Sequence, residues 1–260
     1  GIKKDILILG STYPFSNFSE VIKHNLTPTI ASISGLEFFN KFAKYKQVCY
    51  LRSLGKTNKF DFTRSLDNKN KKLPFHLKID TGMGRLGISP KTFVSLIEKL
   101  KNLKNIYIDG IYSHLACAAE NENFTEKQTR DFEKLSRKIP ARFIHIAASA
   151  SILKYKSSHF NLVRPGLLIY GLKPTEFSDS VIRVQPALSL KTKIVYLKTV
   201  PKNTSISYCR TFITKRISKI ATIPIGYADG FLRCNSNNAK VLVHGKKASV
   251  IGRVCMDMTM

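Results

Sequence analysis

Along the first two thirds of the chain, short apolar runs alternate with stretches that carry an apolar residue every third or fourth position. Asp5 to Gly10 (DILILG) and Thr27 to Ser32 (TPTIAS) read as buried strands, with a helix over about Gly35 to Lys44 behind the second. Pro74 to Asp80 (PFHLKID) predicts another strand. Ser89-Pro90 then gives an N-cap followed by Pro at the first helical position. Phe93, Leu96, Ile97, Leu100 and Leu103 keep one face of the helix that follows. Tyr107 to Ser113 predicts a strand, Thr125 to Lys138 a helix with Phe132 and Leu135 inward, and Ala141 to Ala147 a further strand. Leu162 to Gly171 predicts a last one, after a short helical piece.

Strands that are continuously apolar and separated by helices imply a parallel sheet covered on both faces. The six strands correspond to about six of the eight units of a (β/α)8 barrel, with the missing pair expected upstream of Gly1. From Pro186 the period changes to two: Leu188 to Thr199 alternates, and so does Lys240 to Val250 around a His244-Gly245 turn. The predicted fold class is therefore α/β plus β. It comprises a partial barrel over residues 1–183 and a mainly antiparallel β domain over 184–260. A first residue that is Gly rather than Met, and a strand-like pattern that stops at Met260, predict that both ends are cut. Tyr50 to Lys72, polar and rich in Lys and Asn, reads as a long loop or a loosely packed helix.

Charge and cysteine content narrow the classes. Lys and Arg number 43 against 17 Asp and Glu, a net charge of +26 that would attract nucleic acid, an anionic membrane or acidic metabolites. The excess lies in short groups such as Lys69, Lys71 and Lys72, with no continuous basic arm, and the aromatics sit in apolar faces. It reads as a solvated Lys-biased surface, with neither nucleic acid nor membrane as partner. No run of eighteen apolar residues and no secretory leader occur. The five cysteines form no CxxC pair and no zinc spacing, so no metal is expected; reduced thiols in a cytoplasm fit them.

Residues able to do chemistry cluster where strands end: Arg85, His114, Ser149 and Arg164. Arg85 follows a turn in which Gly82 and Gly84 supply backbone freedom. Arg164-Pro165-Gly166 lets main-chain N–H groups approach a ligand, and Ser149 opens a short helix whose N-terminus suits a phosphate. The set points to a ligand bearing phosphate and carboxylate groups. Each residue also has a plain structural reading: Arg85 in a surface ion pair, Ser149 as a helix cap, Arg164 as a fork holding a loop.

Longer strings resemble one family, the alanine racemases. They are His76 to Ile88 (HLKIDTGMGRLGI), Ser113-His114-Leu115, His145 to Ala150 (HIAASA) and Val163 to Leu172 (VRPGLLIYGL). Ile206 to Phe212 (ISYCRTF), Ile220 to Gly230 (IATIPIGYADG) and Val241 to Asp257 (VLVHGKKASVIGRVCMD) continue the match in family order. The resemblance implies a barrel plus β domain and a homodimer with shared active sites. It also implies pyridoxal 5'-phosphate as cofactor and interconversion of L- and D-alanine for peptidoglycan precursors. Residue by residue, it gives Arg85 the substrate carboxylate and the cofactor's phenolic oxygen, with Lys78, at a family position that is carbamylated in some members, steadying Arg85. Arg164 would meet the pyridine nitrogen, and Ser149, Gly166 and Leu167 the phosphate. His114 would link Arg164 to the catalytic Tyr208, which serves the partner's site. Met256 would touch the substrate carboxylate across the dimer, Tyr227 would narrow the entrance, and Asp257 would support.

That implied chemistry is physically coherent. An arginine at the ring nitrogen keeps its protons, so the electron sink is weaker than one with an acid partner and side reactions are restrained. Racemisation needs proton transfer on both faces of Cα, hence two bases, one of them Tyr208. Three departures stand out. The family's Schiff-base lysine, in a string like VVKANAYGHG, does not occur in the chain and would fall before Gly1. Ala148 stands where the family usually has Asn, and Cys209 where Gly usually follows the tyrosine. Without that lysine the segment alone is expected to be inactive, and a member of the family that binds the cofactor without turnover is the alternative.

Overall fold

The computed structural model describes residues 3–53, 72–174 and 182–260. Residues 54–71, most of the Lys/Asn-rich segment, lie outside it. The chain divides into two compact units, Gly1–Ala187 and Leu188–Met260, whereas the sequence reading ends the first domain at Arg183.

In the first unit five parallel strands form one sheet in chain order: β1 (Ile6–Ser11), β2 (Leu26–Ile30), β3 (Leu73–Lys78), β4 (Ile106–Tyr112) and β5 (Phe143–His145). Helices connect them: α1 (Phe18–Lys23), α2 (Ile33–Ser53), α3 (Pro90–Lys101) and α4 (Glu122–Ser136). The result is a curled half-barrel. Helix α1 has no counterpart in the sequence reading, because six residues are too few to show a period.

The expected sixth strand does not form. Arg164 makes only an isolated parallel bridge to Ala148, and the chain then turns into a four-residue helix, α6 (Gly166–Ile169). Pro165, with no N–H to give, precedes that helix. The apolar string that resembled a strand is thus a helical turn, and Leu167 and Ile169 are exposed on it.

Row by row, the sheet sorts residues by face. Ile30, Leu77, Ile111 and Ile144 pair across β2 to β5 on the helix side and join one apolar cluster with Phe93, Leu96, Phe132 and Leu135. Each such buried side chain contributes roughly 1.5–3 kcal/mol. Ser89 caps α3 by accepting the Thr92 N–H at 3.1 Å, as its spacing before Pro90 predicts, a contribution of about 1 kcal/mol. The opposite face carries the rows Thr29–His76–Gly110–Phe143 and Lys78–Tyr112–His145. Apolar branched residues normally fill a barrel's interior. Here much of that layer is polar, and the site rests on it.

The second unit is antiparallel. β6 (Tyr196–Val200) pairs with β9 (Ser218–Thr222), β7 (Ser205–Ile206) with β8 (Phe212–Ile213), and β10 (Lys240–Val243) with β11 (Lys246–Ser249). The hairpin at His244-Gly245 forms with both turn residues at positive φ, 50° and 76°. The strand expected over Leu188 to Thr199 is realised only from Tyr196. Leu188 is 85% exposed, and its stretch has no ladder partner among the described residues. Alternation alone does not make a strand; a neighbour must accept its backbone. Val200, Ile206 and Ile220 form a small core of their own.

Candidate active site

Arg164 is the best-fixed functional side chain of the first unit. Its Nη2 donates to Ser113 O at 2.9 Å and to Ile146 O at 3.1 Å, and lies 3.3 Å from His114 Nδ1. Its Nη1 donates to His145 Nδ1. Burial lowers its pKa to about 10, with Tyr112 opposing, so the guanidinium remains charged at neutral pH. It also lies over the Tyr112 ring, 5.2 Å from the centroid.

Around it the environment is cationic. Lys78, buried at the end of β3, sits 5.4 Å over the same ring. Burial lowers its pKa, and the fields of Arg85 and Arg164 add to that. Asp80, whose charge opposes the lowering at Lys78, is committed elsewhere: its Oδ1 accepts the N–H groups of Gly82, Met83 and Gly84 at 2.8–3.1 Å. Burial disfavours the carboxylate, but those three bonds outweigh it and lower the pKa. They shape the turn that presents Arg85 to solvent. Arg85 acts electrostatically on Lys78, Tyr112 and His114, which places it at the same rim.

His114 is pushed down to about 4 by burial, then by Arg164 and Arg85. The imidazole is therefore neutral, and the positive charge of the His114–Arg164 pair resides on the arginine. Ser149 opens α5 (Ser149–Lys154), and its buried Oγ accepts the Leu168 N–H at 3.4 Å. At Gly166 a Cβ would meet nothing within 4 Å, and the Leu167 N–H has no backbone acceptor among the described residues. Ser149 thus meets the turn that carries Gly166 and Leu167, in which the Gly166 N–H donates to Arg164 O at 2.9 Å. At Ala148 no side chain caps α5; the Ser151 hydroxyl takes the Ala148 N–H instead, at 2.9 Å.

In the second unit Tyr208 is 66% exposed, in a turn with Ser207, Cys209 and Arg210 at φ of 64°, 60° and 52°. Cys209 occupies a left-handed conformation that Gly adopts without penalty. The turn is tied down by the Ser207 hydroxyl, which donates to Arg253 O at 2.7 Å. Tyr227 and Met256 share a second edge, where the Tyr227 N–H donates to Cys255 O and the Ala228 N–H to Met256 O, both at 3.0 Å. Tyr227, Met256 and Asp257 are all exposed.

Comparison with known proteins identifies the family. Residues 1–174 match the family profile described as alanine racemase, N-terminal domain, and residues 187–260 the one described as alanine racemase, C-terminal domain. The chain belongs to the alanine racemase family. It is 40% identical over 267 residues to alanine racemase 2 of Caldanaerobacter subterraneus subsp. tengcongensis, covering all of this chain and 63% of that one. The solved alanine racemase of Clostridium difficile 630 superposes with a TM-score of 0.81 at 34% identity, again over 100% of this chain and 63% of the other. That of Bartonella henselae, solved with covalently bound pyridoxal phosphate, gives 0.80 at 26% identity, over 100% of this chain and 65% of its own. The chain spans about 63% of the length of the relative with which it shares 40% identity.

Family membership does not mark every residue that the geometry brings together. His76, Asp109, Tyr112 and His145 carry no role in the sequence reading, yet three of them line the layer beneath Arg164. A signal exists: His76 and Lys78 alternate with Phe75, Leu77 and Ile79 inside a strand that is otherwise apolar, which marks a face turned away from the hydrophobic core.

Proposed function

We propose that the protein is a pyridoxal 5'-phosphate-dependent alanine racemase acting in the cytoplasm as a homodimer with sites built from both subunits. The carrying observation is Arg164: a half-buried, charged guanidinium held by Ser113 O, Ile146 O and His145, with Arg85 and Lys78 at the same rim and, among the described residues, no free acid facing it. The donor set suits an anionic, phosphorylated, planar ligand. When bound, that cofactor supplies an electron sink for the Cα carbanion.

Each residue then has a task. Ser149 Oγ and the N–H groups of Gly166 and Leu167 bind the phosphate. Arg164 donates to the pyridine nitrogen while keeping its own protons. Arg85, steadied by Lys78 when a carbamate on that lysine replaces its positive charge with a negative one, binds the phenolic oxygen and the substrate carboxylate, with Met256 adding a contact from the partner subunit and Asp257 supporting it. Tyr208 of the partner subunit holds or removes the proton on one face of Cα, and His114 connects it to Arg164. Tyr227 narrows the entrance. The exposure of Tyr208, Met256 and Tyr227 supports this division, since groups that serve another subunit must be presented at a surface. Cys117, Cys209, Cys234 and Cys255 are free thiols, in keeping with a reducing compartment.

The test is conversion of L- to D-alanine by the full-length protein, read by circular dichroism. Tyr208→Phe is expected to lower kcat by about 10²–10⁴ with cofactor absorbance retained. Unchanged turnover in that variant would remove Tyr208 from the reaction.

A further inference from the structure

Beneath Arg164 the polar layer of the half-barrel continues towards the opposite end of the sheet as a chain that is hydrogen-bonded as far as His76 and electrostatic from His76 to Asp109. His145 accepts from Arg164 at Nδ1, and its Nε2 lies 2.9 Å from His76 Nδ1. His76 Nε2 lies 4.0 Å from Asp109 Oδ2. Asp109 in turn is held by Arg142, whose Nε is 3.2 Å from Oδ1 and whose Nη2 is 3.3 Å from Oδ2. His76 and His145 are fully enclosed. The Tyr112 ring stacks on His145 at 4.7 Å and 6°, with its hydroxyl donating to Leu9 O at 2.8 Å.

Two backbone features build this chain. The β3–β4 register shifts between Phe75 and His76, so that Phe75 pairs with Ile108 but His76 with Gly110. Asp109 is the extra residue of that bulge and is turned towards His76. Opposite His76, any Cβ at position 110 would sit 2.3 Å from the ring. Only glycine leaves room there.

The direction of the chain follows from donor chemistry. A guanidinium has no acceptor, so His145 Nδ1 must be unprotonated and its proton must reside on Nε2. That N–H then donates to His76 Nδ1, which puts the His76 proton on Nε2, facing the Asp109 carboxylate. The reverse order would set two donors against each other at Arg164. Neutral rings are required, and burial with the nearby arginines lowers His76 to about 4 and His145 to about 2.

We propose that Asp109, His76 and His145 form a tautomer-locking relay that holds the Arg164 guanidinium in the orientation its ligand needs. His76 and Asp109 are thus positioning residues that never touch the ligand. The inference rests on the racemase reading for what Arg164 binds, but the relay is testable without it.

The experiment is side-chain ¹⁵N NMR of the full-length protein without cofactor, together with steady-state kinetics of the loaded protein. Both rings are expected in the Nε2–H form between pH 6 and 8, with a scalar coupling between His145 Nε2 and His76 Nδ1 across their hydrogen bond. His76→Phe, which keeps a ring opposite Gly110 but removes the acceptor, is expected to put His145 into tautomer exchange and lower kcat roughly ten- to a hundredfold, with KM within about twofold. Asp109→Asn is expected to loosen the His76 tautomer and lower kcat by less. A proton on His145 Nδ1, or unchanged His145 signals and kcat in His76→Phe, would overturn the relay. If His76→Phe fails to fold, Asp109→Asn decides: unchanged His76 signals and kcat overturn the proposal. Locked rings in a protein that does not racemise alanine would uphold the relay and count against the racemase reading.

Discussion

The two units hold their functional residues in opposite ways. In the half-barrel, Lys78, His76 and His145 are buried, Arg164 is half-buried, and Arg164, His145 and His76 are linked to one another and to the main chain by hydrogen bonds within the unit. In the β unit, Tyr208, Met256 and Tyr227 are exposed side chains on turns whose order comes from the backbone: positive φ values, the Ser207–Arg253 bond and the paired N–H groups of Tyr227 and Ala228. The first arrangement pays desolvation to fix a charge where a ligand will need it. The second spends little and leaves its side chains available to another surface. Variants of the two regions should therefore fail differently.

The largest expected effect is in the barrel. Arg164→Leu leaves Ser113 O, Ile146 O and His145 Nδ1 without their donor, at about 1–3 kcal/mol for each group left unsatisfied. It should lower the thermal midpoint of the cofactor-free protein by several degrees as well as abolish activity. Tyr208→Phe, by contrast, should leave that midpoint unchanged within the error of calorimetry. Equal thermal losses in the two variants would erase the contrast between the units.

Next in size is a pH effect confined to the barrel. His76 and His114 titrate at about 4 and His145 at about 2 in the fold, against about 6.5 for an unfolded chain. Between pH 6.5 and 5 the unfolded chain therefore binds protons that the folded chain refuses, and stability must fall as pH drops through this window. Urea unfolding at half-unit intervals should show the decline, and His114→Gln should make it shallower. A flat profile would mean that the imidazoles protonate in place.

The smallest effect sits in the β unit. Cys209 holds φ at 60°, so Cys209→Gly should relieve about 1 kcal/mol of left-handed strain and raise the denaturation midpoint slightly. A loss of stability would show that the thiol makes a contact that offsets the strain.

Much of this was legible in the chain. Continuous apolar strands between amphipathic helices gave the parallel sheet, Ser89-Pro90 placed the start of α3, and the period-two pattern around His244-Gly245 predicted its hairpin. What escaped shares one cause: partners far apart in sequence. The string after Arg164 is as apolar as a strand, yet Pro165 and the geometry of α6 turn it into a helix. Leu188 to Ile194 alternates without a ladder partner among the described residues. Arg85, Ser149 and Arg164 stood out because they follow predicted strand ends and lie in strings that resemble a family, whereas the role of His76 depends on a bulge at Asp109 and on the missing side chain at Gly110. No local pattern in one strand reveals what the next strand lacks.

The central claim is that a rim of fixed cations and a presented tyrosine act together across two subunits, and subunit mixing tests it most directly. Arg85→Leu and Tyr208→Phe proteins, each inactive, would be unfolded together, refolded and assayed for D-alanine. Random pairing makes half of the dimers mixed, each with one site intact, so roughly a quarter of wild-type activity should return. Activity no higher than that of the two parents would contradict a site drawn from both chains.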